Sequence, residues 1–391
     1  MHVLFLTHAF PRYAGDAAGS FLLRLATALR GEGVTVAVLA PHAPGYAERE
    51  PIDGIVVRRF RYAPDKLETL AYTGTMVEQV RTSWGARLAL GGLLAAELRA
   101  ALAAARELRP DVIHAHWWFP SGLAALPLSG RQPLVTTLHG TDVRLARASD
   151  LARPLFRQVL ARSARTTAVS RWLAAETHAV APALPAPLVA RMPVAAELFS
   201  PGSARTRDCL LFVGRLNRQK GLELLLRALP LMRARASLDV VGDGEDAAAL
   251  RALSASLGLR ERVRWHGAVP QPALADFYRA ATALVVPSLH EGLGLVAAEA
   301  QLCETPVVAC DSGGLPDLVD HGRTGILVPP ADAERLAAAL DDLLGREDRG
   351  RALGVAGRQH ALATFAPGAV ARQYADIYRA ALATRARRGA A

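Results

Sequence analysis

The chain has 391 residues, of which 51% are hydrophobic and 21% charged, so it is long enough to bury two ordinary cores of roughly 150–200 residues each. Its cysteines, Cys209, Cys303 and Cys310, are odd in number and form no CxxC pair, which argues against a zinc site or a disulfide framework. The net charge of +10 comes mainly from residues 1–200, with 22 basic against 15 acidic side chains, a bias that fits nucleic acid, an anionic membrane, a phosphorylated substrate or a plain solvated surface.

In the N-terminal half, short apolar runs alternate with amphipathic helices. Strands are predicted at residues 2–6, 35–39, 112–115, 134–138 and 166–169. Ser20 is predicted to cap the helix after the first strand, and Gly31 and Gly33 to end it. A strand, a glycine loop, a helix and a second strand form a βαβ unit, which predicts a parallel sheet covered by helices.

We expect a cytoplasmic protein without a membrane span. The Ala- and Leu-rich stretch 87–109 is interrupted by Glu97, Arg99 and Arg106, whereas a span needs roughly 18 residues with few or no charges. The first apolar run is too short, and lacks the basic lead, for a signal peptide.

A second series of strands is predicted at residues 210–213, 238–241, 263–265, 284–286, 307–309 and 326–328. The Pro-rich stretch 182–201 separates the two series and is typical of an inter-domain connection. The pattern predicts an α/β protein with two Rossmann-like doubly wound domains, residues 1–196 and 197–364, facing each other across a cleft. Ligands of such sheets bind at the carboxyl ends of the strands.

The segment 286–300 carries the strongest chemical signal. An apolar strand ends at Pro287, Gly292 and Gly294 permit close backbone approach, and a helix then points its unpaired amides at an anion. Glu291 and Glu299 flank this site, and carboxylates accept hydrogen bonds from sugar hydroxyls. Two glutamates at this spacing also occur often on plain helix surfaces, but with the strand and the glycines the segment suits a nucleotide sugar.

The loop after the strand at 210–213 carries Arg215 and Lys220. Two fixed cations at the carboxyl end of a strand can neutralise a diphosphate. Arginine carries almost all the positive charge of this chain, which has only two lysines, Lys66 and Lys220. A lysine in this loop is therefore notable.

Together these segments closely resemble glycosyltransferase family 4, a large retaining family of the GT-B fold. The likeness extends over almost the whole chain. It is carried by VGRL at 213–216 with the following KG, VGDGEDAAAL at 241–250, HGAVP at 266–270, EGLGLVAAE at 291–299 with TPVVA at 305–309, and by FPRYAGDAAGSF at 10–21, HAHWWFPSG at 114–122 and TLHGTD at 137–142.

The resemblance implies an acceptor-binding N-terminal domain, a donor-binding C-terminal domain and a helix over 365–391 that crosses back to the first domain. It implies that Arg215 and Lys220 bind the donor diphosphate with the backbone of the glycine loop, and that Gly19 or Gly15 lets the N-terminal loop close on the phosphates. Glu291 would hold the donor sugar, Glu299 the ribose, and His139 would lie beside the transferred sugar, although a structural turn histidine is the alternative. The implied donor-binding residues are Gly19, Arg215, Lys220, Gly292, Leu293, Gly294, Leu295 and Glu299, and the implied catalytic residues are His139 and Glu291.

The expected reaction moves a hexose-type sugar from a nucleotide diphosphate sugar to a glycan, a lipid-linked acceptor or a small molecule, in surface polysaccharide or glycolipid synthesis. No D-x-D tripeptide occurs in the sequence, so neither a metal nor another cofactor is expected. The resemblance implies retention by front-side attack, with the leaving phosphate taking the acceptor's proton.

The same residues argue against two rival functions and leave a third open. A dinucleotide-dependent oxidoreductase lacks its G-x-G-x-x-G after the first strand, and a nucleic-acid binder lacks a recognition motif. A non-catalytic nucleotide-sugar binding module stays open as the alternative.

Residues 144–171 contain seven arginines and one acid, Asp150. Asp150 is predicted to cap a helix whose apolar face is Leu151, Leu155, Val159 and Leu160. The helix is interpreted either as a solvated face or as a dock for the anionic inner leaflet of the membrane or a lipid-diphosphate acceptor.

Overall fold

The computed structural model describes residues 1–72, 76–202, 208–345 and 347–389. The chain divides into two compact units. Unit 1 comprises Met1–Pro193 and Pro367–Ala391, and unit 2 comprises Val194–Ala366. The sequence placed these boundaries at 196/197 and 364/365, a few residues away.

The sheet of unit 1 has eight strands. They are β1 (His2–Leu6), β2 (Thr35–Pro41), β3 (Arg49–Ile52), β4 (Ile55–Phe60), β5 (Val112–His116), β6 (Leu134–Leu138), β7 (Arg165–Ala168) and β8 (Leu188–Val189). Their order across the sheet is β3-β4-β2-β1-β5-β6-β7-β8. All neighbours run parallel except β3 and β4. Every residue of β5 and β6 is buried, as expected for strands covered on both faces.

The sheet of unit 2 has six parallel strands. They are β9 (Cys209–Val213), β10 (Ser237–Val241), β11 (Val263–Gly267), β12 (Ala283–Val286), β13 (Val307–Cys310) and β14 (Ile326–Val328). Their order is β11-β10-β9-β12-β13-β14. Two doubly wound parallel sheets confirm the predicted fold class.

Helices cover the two sheets. They are α1 (Ser20–Leu29), α2 (Met76–Thr82), α3 (Trp84–Leu108), α4 (Leu123–Ala125), α5 (Thr141–Ala148), α6 (Ala152–Arg162), α7 (Arg171–Val180), α8 (Leu222–Ala228), α9 (Ala247–Ser256), α10 (Leu274–Ala280), α11 (Leu295–Leu302), α12 (Ala333–Leu344), α13 (Glu347–Phe365) and α14 (Pro367–Gly389).

Each predicted strand is present, but the structure adds β3, β4 and β8. Strands β3 and β4 form an antiparallel hairpin at the sheet edge, where charged residues such as Arg49 and Arg59 interrupt the apolar pattern. Strand β8 lies inside the Pro-rich stretch that was predicted as a connection, and it pairs with β7 at the opposite edge. Edge strands carry a weaker apolar signal because they are less covered than central ones.

The predicted Ser20 cap is wrong. Helix α1 begins at Ser20 itself, and Gly19 is the N-cap residue with φ 68° and no side-chain capping bond. An added Cβ at Gly19 would lie 2.4 Å from the Ala9 carbonyl oxygen, closer than real contacts allow. Glycine is required there because two stretches of the N-terminal loop touch backbone to backbone.

Helix α3 is long and apolar enough, by length and composition alone, to cross a membrane, which the sequence argument had excluded. Its buried side packs into the core of unit 1 through Ala86, Leu93, Ala101 and Ala104. Glu97 is fully buried on this helix, and burial raises the pKa of its carboxyl group to about 7.

Helix α14 belongs to unit 1. The hydroxyl of Tyr378 lies 2.8 Å from Nδ1 of His114 on β5. The hydroxyl of Tyr374 donates a 3.2 Å hydrogen bond to the Ala190 carbonyl oxygen. Both tyrosines are completely buried, so the last helix completes the core of the first unit.

The predicted start of α6 is wrong. Asp150 does not cap the helix, and Oγ of Ser149 instead accepts from the Ala152 amide at 3.2 Å. The buried side is Phe156 with Val159 and Leu160. Leu151 and Leu155, which were predicted on that side, are 85% and 39% exposed. The apolar face is therefore rotated, and Phe156 packs edge-on against Trp118 with ring centroids 5.6 Å apart.

Candidate functional site

In unit 2, the loop after β9 is held by the side chain of one of its own residues and by contact with the end of β12. The side chain of Asn217 accepts from the Lys220 amide at 3.1 Å. Gly221 has φ 69°, and a Cβ there would lie 2.1 Å from the Pro287 carbonyl oxygen. The loop that carries Lys220 thus packs directly on the strand end that precedes the second loop.

The loop after β12 leads into α11. The Leu289 amide donates to the Gln219 carbonyl at 2.8 Å, which joins the two loops. Gly294 is the N-cap of α11 with φ 87°, and a Cβ there would meet Leu315 at 2.8 Å. The first helical residue is Leu295, so the amides of 295 and 296 are among those a helix leaves unpaired at its start, whereas the Ala297 amide donates to the Gly294 carbonyl at 2.9 Å.

The structure brings Lys220 and Glu291 together. Nζ of Lys220 lies 2.7 Å from Oε2 of Glu291, and the two side chains are only 24% and 13% exposed. A half-buried pair is weakly screened by water and has a fixed geometry. A cation and a carboxylate therefore stand side by side at the carboxyl ends of β9 and β12.

Residues 312–314 position Glu291, and the sequence analysis missed them. The Glu291 carbonyl accepts from the Gly314 amide at 2.7 Å. Oγ of Ser312 accepts from the His290 amide at 3.0 Å. A Cβ at Gly313 would lie 2.3 Å from the Glu291 carbonyl oxygen. The paired glycines at 313 and 314 were the available signal of this close approach.

Glu299 lies on the buried side of α11. Its Oε1 accepts from Nε2 of Gln271 at 2.6 Å, and its Oε2 accepts from the Tyr278 hydroxyl at 2.9 Å. Burial and the adjacent Glu299 carboxylate raise the pKa of Tyr278 well above its ordinary value, so the tyrosine stays a donor. The carboxylate is held in place by two neighbours.

Arg215 lies on the same loop as Lys220, on its more exposed side. Its Nε donates to Oε2 of Glu245 at 2.9 Å, and the Arg215 side chain is 39% exposed. The two cations predicted for the diphosphate therefore differ in burial, and each is paired with a glutamate.

In unit 1, His139 directly follows β6 and lies among aromatic side chains. Its ring stacks on Trp117 with centroids 4.1 Å apart and planes 30° apart. Its Nε2 lies 3.3 Å from Nδ1 of His116, and its ring is 5.5 Å from that of Phe21.

Four histidines lie around Trp117 and His139, namely His8, His114, His116 and His139 itself, and burial keeps all four neutral. Burial lowers the pKa of His8 to about 4 and that of His114 to about 3. Burial, with the neighbouring histidines, lowers the pKa of His116 and His139 well below the ordinary value. Within the described residues, Nδ1 of His8 and Nε2 of His116 are buried without a hydrogen-bond partner. The cluster offers imidazole donors and acceptors without charge.

The predicted site residues fall into two groups. Gly19 and His139 lie in unit 1, and the other eight lie in unit 2. Among those eight, the two loops bring together Lys220, Glu291 and the start of α11. Sequence reasoning also missed Asp142, the last residue of the TLHGTD motif, whose carboxylate accepts from the His139 amide at 3.2 Å.

Unit 1 also contains a group of possible metal ligands, His42, Asp65 and Glu68, whose ligand atoms lie within 4.8 Å of one another. Nδ1 of His42 lies 2.6 Å from Glu68, and its Nε2 lies 2.9 Å from the Tyr46 carbonyl oxygen. Both imidazole nitrogens are thus already engaged, and the group satisfies itself by hydrogen bonds.

Comparison with known proteins agrees with this geometry. Residues 195–360 match the family described as Glycosyl transferases group 1, and residues 18–189 match Glycosyltransferase Family 4. The D-inositol 3-phosphate glycosyltransferase of Thermobispora bispora is 34% identical over 94% of this chain and 91% of its own length. That of Frankia alni is 38% identical over 70% of this chain and 74% of its own.

Solved structures show the same architecture. The sucrose-phosphate synthase of Thermosynechococcus elongatus superposes with a TM-score of 0.81 at 25% identity, covering 97% of this chain and 98% of that one. Anabaena HepE in complex with UDP-glucose gives a TM-score of 0.70 at 20% identity, over 96% and 99%. The fold is that of the GT-B glycosyltransferases. The chain belongs to family 4 of these enzymes and is a glycosyltransferase.

Proposed function

We propose that this enzyme transfers a hexose-type sugar, with retention, from a nucleotide diphosphate sugar to a hydroxyl of a phosphorylated acceptor. The observation that carries the donor half is the half-buried Lys220–Glu291 pair beside the start of α11. A cation and helix amides suit the diphosphate, and a carboxylate suits the sugar hydroxyls.

In the proposed reaction, the bond between the anomeric carbon and the diphosphate oxygen breaks as the acceptor oxygen bonds to that carbon. The acceptor's proton passes to the leaving phosphate oxygen. Lys220, Arg215 and the amides at the start of α11 stabilise the charge that develops on the diphosphate. Glu291 orients the sugar, Glu299 binds the ribose, and neutral His139 contacts the transferred sugar. No metal is assigned a role.

The acceptor is proposed to carry phosphate. Unit 1 contains most of the residues of the basic N-terminal half, and the relatives named above are glycosyltransferases of D-inositol 3-phosphate. A small phosphorylated polyol and a lipid-diphosphate glycan acceptor share this anionic chemistry, the latter serving surface polysaccharide or glycolipid synthesis.

The test is a matrix of UDP-, GDP- and ADP-hexoses against inositol 3-phosphate, unphosphorylated inositol and a lipid-diphosphate sugar, with the anomeric product read by NMR. Transfer only to a phosphorylated acceptor, with the donor's anomeric configuration kept, supports the proposal. Transfer to unphosphorylated acceptors alone, or an inverted product, contradicts it. Nucleotide-sugar binding seen by calorimetry without any turnover would support the non-catalytic binding module instead.

A second proposal concerns location, and the surface of α6 supports it. Leu151, just before this helix, is exposed, and so are Leu155, Arg157 and Arg162 on it. Arg153 also lies on it and is 37% exposed. Apolar side chains beside several arginines suit the anionic inner leaflet, where each basic residue contributes on the order of 1 kcal/mol. We propose that the enzyme docks there as a peripheral protein.

Sedimentation with vesicles separates docking from a plain solvated helix. Binding to phosphatidylglycerol vesicles but not to phosphatidylcholine vesicles, weakened by salt and by the double change Arg153→Glu and Arg157→Glu, is the expected result. The matched control is Arg260→Glu with Arg323→Glu, an equal charge change at exposed positions of unit 2. Absence of binding at low salt, or equal loss in both double variants, overturns the docking proposal.

A further inference from the structure

The carboxylate of Asp142, in the first turn of α5, is buried and surrounded by backbone amides. Its Oδ1 accepts from the amides of His139 at 3.2 Å, Gly140 at 2.9 Å and Val143 at 3.0 Å. Its Oδ2 accepts from the Trp118 amide at 3.3 Å. One side chain thus receives four backbone donors, two from the loop after β6, one from the first turn of α5 and one from the segment after β5.

The main chain of Asp142 also forms a hydrogen bond with Trp118. Its carbonyl oxygen accepts from the indole Nε1 of Trp118 at 2.7 Å. Trp118 is almost completely buried, so this bond is shielded from water. The two segments are therefore fastened at one residue by both its side chain and its main chain.

Both segments have unusual backbone conformations beside these bonds. Trp117 has φ 67°, in the left-handed region that a bulky residue rarely adopts, and Gly140 has φ 119°. Such conformations persist where surrounding contacts enforce them, and they are concentrated at functional sites. For Trp117 those contacts are its own amide on Thr137 at 2.8 Å and the bond from the next residue, Trp118, to Asp142.

The consequence is the geometry of the stacked pair. His139 lies on one segment and Trp117 on the other, and their rings are 4.1 Å apart. Because Asp142 bonds the amide of His139 and that of the residue after Trp117, it sets the separation of the two rings. We propose that Asp142 is a positioning residue for the transfer reaction, acting through His139 and Trp117, an inference that rests on the proposed function.

Asp142→Asn changes these contacts with little change in volume. The amide keeps one oxygen, and its NH2 group must face at least one of the four backbone donors. If the oxygen stays with the three donors of Oδ1, the NH2 opposes the Trp118 amide. We expect kcat/KM for the acceptor to fall roughly 10- to 100-fold, since small misplacements at a reacting centre have effects of this size. Nucleotide binding to unit 2 should be unchanged by calorimetry.

Two further measurements separate positioning from a general loss of stability. Ser83→Ala removes one capping bond, from the Ala86 amide, in the same unit and is the control for modest destabilisation. Amide hydrogen exchange of Asp142→Asn should accelerate at 118 and 139–143 and not along α3.

Transfer in the asparagine variant within twofold of wild type, or a loss that Ser83→Ala reproduces at equal melting temperature, overturns the inference. If the wild-type enzyme transfers no sugar, the proposed function fails on its own. In that case the exchange data still decide whether Asp142 holds the two segments together. Unchanged exchange at 118 and 139–143 overturns that part of the inference, and local acceleration supports the geometry without a role in transfer.

Discussion

The loops that follow the parallel strands carry different kinds of side chain in the two units. In unit 2 the loops carry charges held by partners, Lys220 by Glu291 and Arg215 by Glu245. In unit 1 they carry rings, with His139 stacked on Trp117 and beside His116. Charged side chains in one unit and uncharged rings in the other would suit the diphosphate and the sugar of the proposed reaction, respectively.

Burial explains why the two chemistries stay separate. Burial keeps the imidazoles of His114, His116 and His139 neutral by lowering their pKa values. The ring nitrogens of His114 contact the hydroxyls of Tyr378 and Thr137, and the rings of His116 and His139 face each other. In unit 2 the charged side chains are partly exposed, and Lys220 and Arg215 are each paired with a glutamate. The comparison shows that similar folds can hold either kind of site, and local partners decide which.

The largest expected effect is on the charged site. Lys220→Ala and Glu291→Ala should each reduce kcat roughly 100- to 1000-fold, because each removes a preorganised group and leaves its partner alone. Steady-state kinetics with unchanged circular dichroism checks this. The controls are Lys66→Ala, which changes the other lysine of the chain, and Glu261→Ala, an exposed acid of unit 2. Near-wild-type turnover in either site variant would show that the pair is not used.

Gly313→Ala tests whether the charged site depends on its loop geometry. The new Cβ would lie 2.3 Å from the Glu291 carbonyl at a position with φ 62°, so the loop must shift. We expect roughly a 10- to 100-fold loss of kcat/KM. Gly258→Ala, also at positive φ but with open space around it, is the control for backbone strain alone. Equal losses in the two variants would argue against a geometric role for residue 313.

Acid should weaken unit 1 before unit 2. His114, with a folded pKa of about 3, stays neutral, while the unfolded chain protonates below about 6.5, so stability is lost as pH falls from 6.5 toward 3. In unit 2, hydrogen bonds from Arg264 and His266 outweigh burial and hold the pKa of Asp239 below its usual value, an effect lost only near pH 4 and below. Hydrogen exchange at pH 7 and 5, corrected for intrinsic rates, measures the free energy of opening. In unit 1 this free energy should be lower at pH 5 than at pH 7, by several kcal/mol at most, and it should change less in unit 2. Equal changes in both units would refute this difference.

Glu97 gives unit 1 a smaller dependence of opposite sign. Its pKa is raised from 4.5 to about 7, so the folded state binds the extra proton, and stability is lost as pH rises from 4.5 through 7. Glu97→Gln should remove this slope, worth roughly 3 kcal/mol at most. Urea titrations of both proteins at pH 5 and pH 8 measure it. If Glu97→Gln changes the free energy of unfolding by the same amount at pH 5 and pH 8, Glu97 does not titrate in this window.

The smallest expected effect is that of a chelator. If the cations of unit 2 and the helix amides stabilise the leaving diphosphate, activity should be unchanged in excess EDTA, as the missing D-x-D tripeptide predicts. The assay compares rates before and after dialysis against EDTA. Loss that magnesium or manganese restores would show that the metal-free proposal is wrong.

The strands and the loops that follow them could be predicted from sequence. Buried parallel strands such as β6 are continuous apolar runs, and the glycines around Glu291 mark close approach. Local pattern was sufficient for these features, since each involves residues near in sequence. The family likeness then assigned roles that neighbouring residues alone could not.

What the sequence did not predict depends on distant partners. Asp142 looks like an ordinary residue of a first helical turn until Trp118, from another loop, is seen to bond it twice. Helix α6 has two possible apolar faces by spacing, and only packing of Phe156 selects one. Edge strand β8 has two residues and no periodicity to detect.

The packing of helix α14 also constrains how the protein is made. All eight strands of the first sheet lie within residues 1–193, yet Tyr374 and Tyr378 reach their places beside it only after the whole of unit 2 has been synthesised. During translation, unit 2 is therefore complete before unit 1, and His114 on the first sheet stays uncovered until helix α14 has been made. A stop codon near the end of the gene would therefore damage the core of the first half of the protein.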